Sequence, residues 1–139
     1  MMESERLPFF VYGSLLPGQL YHWVWGESVV WGQRAVLRYG RLYDLGDYPM
    51  LVETGDDVIQ GMVMEVNTAD YDNVLARLDA LESYFPDRPE ESIYVRMARE
   101  VWLDDGTAVT AWVYIGQMNF ISHLPVVPNG DWAVYVSEQ

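Results

Sequence analysis

The chain has 139 residues, half of them hydrophobic and none of them cysteine, enough for a single domain (residues 1–139) with a core of its own. No cysteine means no disulfide, no thiolate metal site and no cysteine nucleophile. The formal net charge is −13 and every basic residue is an arginine, so nucleic acid and anionic membrane are repelled, and Schiff-base chemistry or a lysine-based phosphate loop is excluded. Residues 1–6 are polar and lack an apolar signal core, and no apolar run approaches membrane-spanning length, which predicts a cytoplasmic protein.

Residues 8–12 form a continuous apolar run, the pattern of a strand buried on both faces and so central in its sheet. The run ends in Gly13-Ser14, with Gly13 free to take positive φ, and Pro17-Gly18 stop any regular element. Backbone N–H groups at such a junction lack ladder partners. If they converge they form an anion-binding nest; otherwise the segment is an ordinary turn. Residues 19–25, rich in aromatics, predict a short helical turn covering this loop.

Residues 35–45 predict a strand in which Gly40 marks a bulge or a close backbone approach. A turn at 46–49, a brief pairing segment at 50–53 and a second turn at 54–57 follow. Residues 58–66 predict a strong strand around Gly61. Asn67 and Thr68 are N-cap residues and Asp70 suits a first turn, so a helix is expected over 69–84, with apolar positions 71, 74, 75, 78, 81 and 85 on one face. Residues 86–91 read as a loop. Residues 93–103 and 107–115 form a hairpin around Asp104-Asp105-Gly106. Residues 116–128 are irregular, Asn129-Gly130 is a tight turn, and 132–136 predict a last short strand. The sum is an α+β fold: a mixed, barrel-like sheet of six or seven strands packed on one main helix.

Glu82 follows Leu78 by one helical turn and Leu75 by two, which puts a carboxylate on or near the apolar face. Asp79 falls nearer the edge of that face, and Asp72 and Arg77 point further away. A desolvated carboxylate has a raised pKa and can carry a proton near neutrality, as general acid–base work requires. The alternative is that Glu82 reaches out to water or pairs with Arg96. His22 and His123 have no partner at metal-ligand spacing, so no metal site is expected. Ser14 lacks the Gly-x-Ser-x-Gly frame of a nucleophile elbow, which leaves a serine hydrolase without support. One of Arg38, Arg41, Arg96 and Arg99, all on predicted strands, is a candidate partner for a core carboxylate.

Taken together, Phe10-Val11-Tyr12-Gly13-Ser14-Leu15, Gly40-Arg41-Leu42-Tyr43-Asp44-Leu45-Gly46, Tyr48-Pro49, the strand from Gly61 to Val66, Leu78-Asp79-Ala80-Leu81-Glu82-Ser83-Tyr84, Tyr94-Val95-Arg96, Ala111-Trp112-Val113-Tyr114 and Gly130-Asp131-Trp132 resemble the γ-glutamylcyclotransferase-like superfamily. The likeness is to its AIG2-like and γ-glutamylamine cyclotransferase branch, and it spans nearly the whole chain. The resemblance implies a mixed β-barrel with flanking helices, no cofactor, and cyclisation of a small γ-glutamyl compound to 5-oxoproline with release of an amine or amino acid. It implies Glu82 as the catalytic acid–base, Tyr12, Gly13, Ser14 and Leu15 as the substrate-binding loop, and Tyr94 and Tyr114 as pocket tyrosines. A monomer or homodimer is expected, and a non-catalytic ligand-binding module on the same fold is the rival reading. Residues 19–25 depart from the pattern in being unusually aromatic, and the leaving-group pocket is unassigned.

Overall fold

In the computed structural model, which describes residues 6–117 and 123–139, the opening apolar run is a short strand, β1 (Phe9–Val11), with all three side chains buried. The expectations for residues 1–5 and for 118–122 of the irregular segment lie outside the described residues. Four longer strands follow: β2 (Val29–Asp44), β3 (Pro49–Val66), β4 (Tyr94–Leu103) and β5 (Ala108–Gly116). They close a barrel in the order β1-β3-β2-β4-β5. The first strand pairs antiparallel with β3 and parallel with β5, so it is central, as its two-sided apolarity predicts. Its faces feed two clusters. Phe9 stacks on Tyr71 with ring centroids 5.7 Å apart and meets Trp25 edge-on at 5.8 Å. Phe10 packs with Leu37, Ile59, Val63 and Val113 on the opposite side. Burying each ring contributes roughly 2–3 kcal/mol.

Five strands replace the predicted six or seven. The turn at 54–57 does not end a strand. Val52 pairs with Arg41 and Asp57 with Gly40, so residues 53–56 bulge out while the ladder with β2 continues on either side. Gly40 lies at that irregularity, as expected. The hairpin around Gly106 forms, with Gly106 N–H donating to Leu103 O at 2.9 Å. Asn129 and Gly130 both take positive φ in the expected turn.

The main helix, α1 (Tyr71–Leu81), is shorter than predicted and is preceded by a 3-10 turn, Thr68–Asp70. Asn67 caps that turn, its side-chain oxygen accepting from Asp70 N–H at 2.8 Å. Tyr71, Val74 and Leu78 are buried against the barrel. The predicted final strand is instead a helix, α2 (Trp132–Ser137). Asp131 caps it by accepting from Val134 N–H at 3.1 Å, and Trp132 and Tyr135, three residues apart, lie on one side with rings 5.7 Å apart. The helical cap outweighs the strand preference of the local Val-Tyr-Val sequence.

Candidate active site

Where β1 ends, the chain turns sharply: Leu16 N–H donates to Gly13 O at 3.0 Å. Glycine is required at position 13 by close approach. A Cβ there would fall 2.5 Å from the Pro49 ring, and the residue is not in the left-handed region that the sequence reading anticipated. The aromatic segment holds this turn by its carbonyls. Ser14 O accepts from Tyr21 N–H at 2.8 Å, and Leu15 O accepts from Trp25 Nε1 at 2.9 Å and from His22 Nδ1 at 3.0 Å. The predicted helical turn over 19–25 is a 3-10 turn at His22–Trp25. Among the described residues, no hydrogen bond engages the N–H groups of Gly13, Ser14 or Leu15. The turn is therefore fixed from its carbonyl side with three donors unspent.

Glu82 is the residue that caps the C-terminus of α1, one step beyond the helix in which it was expected. The end is a Schellman motif: Tyr84 N–H donates to Asp79 O at 2.9 Å and Ser83 N–H to Ala80 O at 3.1 Å. Ser83 takes the left-handed position, φ 55°, which is usually glycine. This backbone geometry aims the half-buried Glu82 into the cleft rather than along the helix face. Burial, and then the nearby Asp79 charge, push its carboxyl up to about 7.

Arg96 does pair with a carboxylate, but with Asp79 and not with Glu82. Its Nε donates to Asp79 Oδ1 at 2.9 Å and its Nη2 to Oδ2 at 3.3 Å. Tyr114 OH adds a third bond to Asp79 Oδ1 at 2.6 Å. Both members of the ion pair are only 13% exposed, and the guanidinium also lies over the Trp112 ring at 4.5 Å. Asp79 is thus buried, not at the solvent edge. Tyr12 OH donates to Tyr114 O at 2.6 Å and Tyr94 OH to Pro49 O at 2.9 Å. Burial pushes all three phenols well above their ordinary values, so they remain neutral donors.

These groups meet in one narrow cleft, lined by Tyr12, Gly13, Ser14, Leu15, Glu82, Tyr94 and Tyr114 together with Phe10, Val11, Tyr48 and Pro49. Every residue that the resemblance assigns to the site is in this lining. A second lobe of about 200 Å³ adjoins it, shares Ser14, Tyr48, Glu82 and Tyr94, and adds Tyr21, Leu81, Ser83 and Ile93. Tyr48, Tyr21, Leu81, Ile93 and Asp79 were not singled out for the site. The signal for Asp79 was an arginine on a later strand in need of a core partner. The others come together only through the barrel. The described residues contain no cluster of metal-ligating side chains. The arrangement places one carboxyl of raised pKa in the same cleft as a turn with three unspent backbone donors.

A family model described as "Gamma-glutamyl cyclotransferase, AIG2-like" matches residues 9–134. A Vibrio cholerae protein named "Putative gamma-glutamylcyclotransferase" is 37% identical over 123 residues, covering 88% of this chain and 92% of that one. Among solved structures, the chain is similar to the Escherichia coli protein ytfP (29% identity, 91% of this chain and 96% of that one, TM-score 0.56). It shares its fold with a structure titled "Gamma-glutamyl cyclotransferase" (16% identity, 88% and 72% covered, TM-score 0.61) and with YkqA from Bacillus subtilis (23% identity, TM-score 0.67). The match covers 95% of this chain and spans 42% of the YkqA chain.

Proposed function

The chain belongs to the γ-glutamyl cyclotransferase, AIG2-like, family, and on that premise we propose that it is an enzyme converting a γ-glutamyl amine or γ-glutamyl amino acid to 5-oxoproline and free amine. The substrate supplies its own nucleophile. Its α-amine attacks its γ-carbonyl, a C–N bond forms as the five-membered ring closes, and the original amide C–N bond breaks. No water is consumed and no electrons are transferred, so the step needs no cofactor. An α-ammonium cannot attack, and an amide does not expel an amine anion. Glu82 takes the proton from the first nitrogen and returns it to the second, a dual task suited to a carboxyl held at about 7. The N–H groups of Gly13, Ser14 and Leu15 bind the α-carboxylate or the developing oxyanion. One oxyanion donor is worth roughly 3–4 kcal/mol. Tyr12, Tyr94 and Tyr114 wall the cleft and keep the glutamyl chain curled, which removes part of the entropic barrier.

The observation that carries this reading is the meeting, in one cleft, of Glu82 with a turn whose donors are unspent. Incubating the purified protein with a panel of γ-glutamyl amines and dipeptides, and resolving the products by mass spectrometry, tests it. The expected products are 5-oxoproline and amine in equal amounts. Release of glutamate would mark a hydrolase, and binding without any product would mark a ligand-binding module; either overturns the reading.

A further inference from the structure

Tyr12, Tyr94 and Tyr114 line the cleft, and each hydroxyl has already committed its single hydrogen to the protein. Tyr12 OH donates to Tyr114 O at 2.6 Å, Tyr94 OH to Pro49 O at 2.9 Å and Tyr114 OH to Asp79 Oδ1 at 2.6 Å. The acceptors are two carbonyls and the carboxylate paired with Arg96, which have no hydrogen to give back, so the direction of all three bonds is fixed. What each phenol oxygen has left to offer is a lone pair. Burial first, and among the lesser causes the Glu82 charge, raise all three phenols, so their oxygens share the surroundings of that carboxyl. None of the three donates to it. Ser14 and Tyr48 make no side-chain hydrogen bond among the described residues and can turn their hydroxyls either way. Apart from those two, the polar side chains of the cleft are acceptors once Glu82 is ionised.

Resting on the cyclotransferase reading, we propose that the oxygens of Tyr12, Tyr94 and Tyr114 form, with Glu82, the seat of the substrate's α-ammonium, and that their bonds to Tyr114 O, Pro49 O and Asp79 keep this seat free of competing donors. An ammonium has three hydrogens and no lone pair, so it matches acceptors that a carboxylate or a carbonyl cannot use. The glutamyl head is thereby divided by polarity: the N–H groups of Gly13, Ser14 and Leu15 serve its anionic oxygens, and the phenols serve its cation. A phenol oxygen accepts a hydrogen bond but does not take the proton, so the transfer stays with Glu82. After ring closure the same nitrogen is an uncharged lactam N–H with one hydrogen. The product loses most of these contacts, which favours its exchange for new substrate.

L-Methionine sulfone and 4-(methylsulfonyl)butanoate differ only by the α-amino group, and neither can cyclise, so calorimetry with the whole protein measures the seat apart from the reaction. At about pH 8 the amine is still an ammonium and Glu82, at about 7, is ionised. The expected result is binding at least about tenfold tighter for the amino compound. Equal Kd values, tighter binding of the deamino compound, or no binding of either overturns the proposal. Tyr94→Phe removes one acceptor oxygen and should cut that ratio at least about threefold, while the Kd of the deamino compound changes little. An unchanged ratio, including a loss shared equally by both compounds, overturns the role of the phenols. Tyr12→Phe is a second variant with the same expected outcome if the first does not fold. Formation of 5-oxoproline from a γ-glutamyl amide is scored separately: its absence sinks the cyclotransferase reading, and the calorimetric ratio still decides the ammonium seat.

Discussion

Glu82 and Asp79 stand three residues apart at one helix end in opposite surroundings. Asp79 accepts three hydrogen bonds from Arg96 and Tyr114, whereas among the described residues none reaches the Glu82 side chain. The first is paired with a cation, and the second is left to burial, which raises it to about 7. In the general-base role proposed for it Glu82 must be ionised, so kcat/KM should rise with pH through about 7. Asp79→Asn removes the charge that helps hold Glu82 up and frees Arg96. Both effects move the acid limb of that profile to lower pH, and an unmoved limb would contradict this account of the site. Stability runs the other way. With a folded pKa above the ordinary 4.5, the folded state binds more protons than the unfolded one between those values, so this group's contribution to stability falls as pH rises from 4.5 to about 7. Glu82→Gln should therefore raise the unfolding free energy at about pH 8, read as a higher urea midpoint, by an amount on the order of 3 kcal/mol at most, with the gain shrinking toward about pH 5. A loss of stability at the higher pH would show that the carboxylate is well solvated. The periodicity of the helix made Glu82 legible in the sequence. Asp79 was not, because a charge at the edge of a helical stripe looks solvated until the opposing strand brings Arg96 to it.

At the scale of elements, the ending of α1 sets the aim of Glu82. A helix running on to residue 84, as the apolar spacing predicts, would keep the carboxyl on the helix face. The Schellman closure stops it three residues earlier, with Ser83 at φ 55°. A Cβ in the left-handed region costs about 1–2 kcal/mol, and glycine gives back roughly 0.5–1 kcal/mol of that through unfolded-state entropy. Ser83→Gly should stabilise the fold by about 0.5–1 kcal/mol, read as a higher denaturant midpoint at unchanged slope; a lower midpoint would mean that the serine is not strained. The same competition between local pattern and context explains what the sequence concealed elsewhere. Residues 50–53 and 58–66 read as two strands because a turn signal divides them, but both pair with β2, so the signal becomes a bulge. Residues 132–136 alternate like a strand, and only Asp131, acting as a cap, turns them into α2.

For the whole molecule, closure matters more than any one strand. β1 is only three residues long, yet its pairing with both β3 and β5 fixes the turn at Gly13–Leu15 against the start of β3, where Pro49 abuts Gly13. Two-sided apolarity made this central place legible; which strands flank it depends on pairings far apart in the chain. The barrel also carries a formal charge of −13, whose self-repulsion opposes compaction. Added sodium chloride screens that repulsion, so the Tm should rise between low and moderate salt; a falling Tm would indicate that ion pairs such as Arg99–Glu53 dominate. The assembled cleft brings the Glu82 carboxyl together with unspent backbone donors, and the proton-transfer role proposed for it is most directly tested by Glu82→Gln assayed for 5-oxoproline on a substrate the parent cyclises. A drop in kcat of about 10²–10⁴-fold with an unchanged circular dichroism spectrum is predicted. Cyclisation at the parental rate would contradict the assignment of Glu82.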